Sequence, residues 1–133
     1  MTKKTRNEAL VFFTVFNPKN DYDLNVINTL GVAKQLDRLG ISYVRYLTRA
    51  LQGNTVALVI NANDFKKIEH ILEIHKQNDV LFIAPDRTAS IITMDNNKNK
   101  EIGTLTRVEY DEAQADKDTF FINTYNKNFY VIK

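Results

Sequence analysis

No cysteine occurs in this chain of 133 residues, which rules out disulfides, thiol nucleophiles and zinc sites built on thiolates. Glycine is scarce: Gly31, Gly40, Gly53 and Gly103 are the whole supply, and their scatter leaves no phosphate-cradling loop. No apolar run approaches the ~18 residues that a membrane-crossing helix needs. The apolar stretch near the start, ALVFFTVF, follows the basic cluster MTKKTR but lacks a small-residue cleavage site, so it reads as a strand and not a signal peptide. An excess of one charge is also missing. The formal net charge is +2 and the basic residues are scattered, which disfavours nucleic acid as a partner. The two histidines, His70 and His75, are five apart, so on a helix they point about 140° apart and cannot share a metal from one face. Neither a metal nor a cofactor is expected.

What remains is a globular composition, with 44% apolar and 26% charged residues, on a chain long enough for one domain over 1–133. A chain of this size buries only about two thirds of its unfolded surface, so self-association would add stability and create clefts between subunits. The absence of cysteine suits a reducing cytoplasm, and no membrane association is expected.

Along the chain, LVFFTVF (10–16) is apolar on both faces except at Thr14, as a central strand would be. A loop, NPKNDYD, leads to a helix over about 23–39 that Gly40 stops, with Val26, Ile27, Leu30 and Ala33 on one side and Asn25 and Asn28 away from them. Residues 41–51 and a strand carrying Val56, Leu58 and Ile60 pair through a QGN turn. Asn63 or Asp64 caps a second helix whose Phe65, Ile68, Ile71, Leu72 and His75 share a face, leaving His75 inward near a C-terminus whose dipole suits a positive ring. VLFIA (80–84) follows. The order β-α-β-β-α-β predicts an α+β fold, a ferredoxin-like βαββαβ sandwich over about 9–85. Residues 88–133 read as a C-terminal β-strand extension: ASIITM, GTLTRVEY, one helical turn in DEAQADKD, and a final hairpin, TFFINTY and FYVIK, around Asn126, Lys127 and Asn128, where asparagine tolerates positive φ.

Tyr43, Arg45, Tyr46 and Arg49 stand out because charged or hydroxyl-bearing residues on an otherwise apolar strand need solvent, a partner subunit or a ligand. The neighbouring aromatics would suit base stacking on an RNA-recognition sheet, but the third strand, NTVALVINA, lacks the basic-glycine-aromatic run of such sheets.

Three stretches together, FFTVFNPKNDYDLNVINTLGVAKQLDRLGI, NDVLFIAPDRTASIITMD and EIGTLTRVEYDEAQADKDTFFINTYNKNFYVIK, resemble the small phage-encoded S-adenosylmethionine lyases, formerly called S-adenosylmethionine hydrolases. The resemblance implies a ferredoxin-like core, a trimer with sites between subunits, and a role in disarming host restriction and methylation. It assigns the hydroxyl that ends the first strand to Thr14 and the asparagine of the first helix to Asn25 or Asn28. The family's hairpin glycine is matched by Gly53, but Leu51 replaces the usual tyrosine, and Asn54, Thr55 and Val56 occupy every register open to the glutamate that faces the substrate's charge. A carboxylate about 4 Å from a sulfonium contributes roughly 4 kcal/mol of attraction at an effective dielectric near 20. Its loss, with Arg45, Arg49 and Arg87 nearby, shifts the expected preference toward anions.

These observations predict a phage counter-defence protein in the host cytoplasm, a homo-oligomeric trimer that sequesters a small adenosine-containing ligand such as a nucleotide signal. The ligand-binding residues expected are Thr14, Asn25, Tyr43, Tyr46, Arg49 and Arg87. Two alternatives stand beside it, an active S-adenosylmethionine lyase and a protein inhibitor acting through the C-terminal strands.

Overall fold

The computed structural model describes residues 8–48, 55–111 and 120–133. Its elements are β1 (Leu10–Phe13), α1 (Tyr22–Arg38), β2 (Tyr43–Thr48), β3 (Thr55–Asn61), a 3-10 helix (Ala62–Lys67), α2 (Glu69–Ile74), β4 (Asp79–Ile83), β5 (Thr88–Thr93), β6 (Lys98–Val108), β7 (Phe120–Asn123) and β8 (Phe129–Ile132). The strands close into an antiparallel barrel in the order β1-β3-β2-β7-β8-β6-β5-β4.

This overturns the ferredoxin-like sandwich. An open sheet would leave β2 and β4 as edges, with their backbone groups unpaired along one side. Instead β2 pairs with β7, Tyr46 opposite Asn123 and Leu47 opposite Ile122. On the other side β4 pairs with β5 over its whole length. The segment expected as an appended extension therefore supplies half of the barrel wall. The reason lies in side-chain alternation, since strands with apolar residues on both faces need a second wall for the inner set. Phe12, Ala57, Val59, Leu81 and Ile83 point into the barrel, where Phe121, Ala89 and Ile132 from the later strands meet them. The Phe12 and Phe121 rings pack edge to face with centroids 5.3 Å apart.

The alternate residues, Val11, Phe13, Leu58, Ile60 and Val80, face outward and form a second core beneath the helices. The Asp21 side chain starts α1 by accepting from Leu24 N at 2.8 Å, and Gly40, at φ 71°, ends it. The stripe that α1 buries is Asn25, Thr29, Val32, Ala33 and Leu36, which shares only Ala33 with the expected one; Ile27 and Leu30 stay exposed. Two buried polar residues are tolerated there because both find partners: Thr29 Oγ1 donates to Asn25 O at 2.8 Å and the Asn25 amide is doubly bonded, as described below. The expected second helix is split in two. Its cap is Asn61, which accepts from Asn63 N, and Ala62 N donates to Ala9 O, tying the tight 3-10 turn to the strand layer before α2 begins. Gly103 sits where β5 and β6 shift register and has φ 145°; a Cβ there would meet Lys133 O at 2.5 Å, so only glycine allows this approach.

Among the described residues no helix is long and apolar enough to cross a membrane.

Candidate functional site

Strand β2 divides the expected site. Residues an odd number apart on a strand face opposite ways, so Tyr46 enters the barrel while Tyr43, Arg45 and Leu47 line its outer surface. Tyr46 is buried. Its hydroxyl accepts from Asn123 Nδ2 at 3.2 Å, and its ring lies 6.0 Å from that of Tyr130. Burial raises the pKa of this phenol above its ordinary 10.0, against the opposing pull of the Asn123 hydrogen bond and the Arg87 charge, so it stays protonated. Of the expected residues, Arg87 is the one whose charge acts on the Tyr46 phenol. Arg87 occupies the β4–β5 turn at φ 76°, where its carbonyl accepts from Leu105 N at 2.8 Å.

Thr14 and Asn25 serve a different place. Thr14 Oγ1 donates to Val56 O at 3.0 Å and accepts from Phe16 N. The Asn25 side chain grips Asn17 from both sides, its Oδ1 accepting from Asn17 N at 2.9 Å and its Nδ2 donating to Asn17 O at 3.1 Å. Both residues are buried, and their polar atoms are engaged in clamping the loop between β1 and α1. Gln77 Nε2 holds the same loop through Phe16 O. Arg49 lies outside the described residues, as do the QGN turn and residues 112–118 of the expected helical turn.

An open groove runs over the outer face of β2, flanked on one side by α1. One end is a cavity of about 710 Å³ lined by Asp37, Ser42, Tyr43, Arg45, Thr124 and Tyr125, among others. It adjoins an apolar cavity of about 280 Å³ walled by Val26, Leu30, Leu47 and Val56, and Arg45 and Thr124 line both. The far wall is the β7–β8 turn, which is firmly held: Thr124 N and Oγ1 both donate to Arg45 O at 3.0 Å. Asn123 Oδ1 accepts from Tyr125 N at 2.8 Å and Asn126 N at 3.2 Å. In this turn it is Lys127, not an asparagine, that takes positive φ. Tyr125 is 89% exposed, so nearly its whole ring surface is open to a binding partner.

Asp37, Thr124 and Tyr125 escaped the sequence reading. An exposed aromatic in a hairpin turn was the available signal for Tyr125; the approach of Asp37 depends on how α1 crosses β2 and had none. The open groove places both charge signs, two phenol rings and several hydroxyl or amide donors around one space, which suits a small polar ligand with an aromatic part. Among the described residues no group of three or more potential metal ligands stands together. The expected inward His75 is only half-buried, and desolvation lowers its pKa below the ordinary 6.5, opposite to the expected stabilisation of a positive ring.

No family model matches the chain, and no curated protein matches it.

Proposed function

We propose that this chain binds and sequesters a small adenosine-containing ligand, such as a nucleotide signal, in the groove over β2. The observation that carries the reading is the convergence of Tyr43, Tyr125, Arg45 and Asp37 on one open cavity of about 710 Å³, within the range that accepts such ligands. An aromatic base stacks on the tyrosines, a phosphate meets the Arg45 guanidinium, and Asp37 and Ser42 accept from ribose hydroxyls. The lyase resemblance extends this to phage counter-defence in the host cytoplasm. With the sandwich excluded, the groove chemistry supports the binding reading more directly than the resemblance does.

A thermal-shift series with adenosine nucleotides and cyclic dinucleotides tests it. A ligand at 100 times its Kd adds about 2.7 kcal/mol, and Arg45→Ala or Tyr125→Ala abolishes the shift. No shift with any nucleotide refutes the proposal.

Asp37 favours a second reading. It is a carboxylate in the groove, positioned to attract a sulfonium although positions 55 and 56 carry none. If the chain is an S-adenosylmethionine lyase, incubation with that substrate yields methylthioadenosine and homoserine lactone, and Asp37→Asn suppresses them; unchanged substrate at high protein concentration excludes it.

A further inference from the structure

The outward face of α1 is unlike its buried stripe and its groove flank. Ile27 is 62% and Leu24 44% exposed, and none of the described elements covers them. One turn beyond Ile27 stands Gly31, in mid-helix, where glycine is disfavoured relative to alanine. A Cβ at Gly31 would meet nothing within 4 Å, so nothing among the described residues calls for glycine there. The missing side chain opens a notch that continues into a concavity of about 430 Å³ reaching Arg38 and His75. The same face carries Asp23 near its start and Lys34 and Arg38 near its end, all exposed, and none of the three forms an ion pair among the described residues.

We propose that this face is a self-complementary docking surface on which a second copy of the chain lays its own α1 antiparallel, about a two-fold axis passing between Ile27 and Gly31. Each Ile27 then fills the notch over the other copy's Gly31, and the absent side chain lets the two helix backbones approach closely. The charges select the direction. At 1.5 Å of rise per residue, Asp23 lies about 9 Å from the axis on one side and Lys34 about 7.5 Å on the other, so antiparallel packing brings each Asp23 beside the partner's Lys34, with Arg38 one turn further on. Parallel packing would set like charges together. A two-fold contact is isologous, so a single helix face supplies both halves. One pair of 17-residue helices buries an area near the low end for specific interfaces, so the pairing is reversible and concentration-dependent. It is centred on Ile27 and Gly31 and not on the groove-lining Val26 and Leu30, and holds whether or not the groove binds a nucleotide.

Sedimentation of the full chain across a concentration series is the test, with far-UV circular dichroism confirming the helix in each variant. The natural sequence should shift from one chain mass to two as concentration rises. Gly31→Leu, which fills the notch, should weaken that shift at least tenfold, as should Asp23→Lys and Lys34→Glu separately, while Asp23→Lys combined with Lys34→Glu should restore it. A chain that stays monomeric throughout overturns the proposal. So does an oligomer, trimer included, whose mass Gly31→Leu leaves unchanged, or a double reversal that restores nothing.

Discussion

Replacing Phe121 by alanine tests barrel closure directly. Phe121 is fully buried on β7, the strand that joins β2 to β8, and its ring touches Phe12 at 5.3 Å and Tyr46 at 6.5 Å. Truncating a buried phenylalanine costs about 3–5 kcal/mol through lost transfer energy and the cavity left behind. A domain of this size has about 5–15 kcal/mol in total, so the variant should remain folded but fall steeply in denaturation midpoint. Urea titrations followed by far-UV circular dichroism and tyrosine fluorescence should coincide in a single transition for both proteins, with little change in slope. Phe12→Ala should cost a similar amount, and the double variant should show about 0.5–1.5 kcal/mol of coupling from the shared ring contact. A loss below about 1 kcal/mol at Phe121, or an early separate transition that spares β1 to β4, would mean that the last two strands are an attachment and that closure is not what holds Phe12 in place.

Asn25→Ala removes both bonds to Asn17 and should lower stability by about 1–3 kcal/mol without altering nucleotide shifts in the groove; chemical denaturation and the ligand series check the two halves, and weakened ligand binding would make Asn25 part of the site. His75, whose pKa burial holds below 6.5, takes up its proton in the unfolded chain first as pH falls, so stability should decline as pH drops through 6.5 toward the folded pKa. Melting curves of the natural protein and His75→Gln from about pH 7.5 to 5 should diverge at the acid end, the variant declining less; parallel curves refute the assignment.

Local signals made many elements readable. The aromatic and branched runs at LVFF, VLFI and FYVI are strands, and the Asp21 cap and Gly40 stop frame α1 within a residue or two of expectation. Closure was not readable, because it depends on Tyr46 finding Asn123, 77 residues away, and no local pattern encodes that pairing. The inward side of α1 was misjudged because the helix is apolar on more than one side, and the hydrogen bonds that make Asn25 and Thr29 acceptable inside exist only once the loop folds over it. The division of Tyr43 from Tyr46, by contrast, was present in the sequence: three residues apart on a strand means opposite faces. The positive φ at Lys127 follows from the turn's bond between Lys127 N and Asn123 O, a geometry that overrides the preference for asparagine.

Barrel closure also imposes a timetable on synthesis. β7 and β8 leave the ribosome after the strands they must join, so during translation β2 carries an unsatisfied edge, with Leu47 beside it and the inner aromatics facing water. Final consolidation must therefore be late and burdened by long loop-closure entropy. A nascent chain stalled before Phe120 would offer its unmatched strands to neighbours on the same message, making premature termination a sharper aggregation hazard here than in a protein whose pairings are all local.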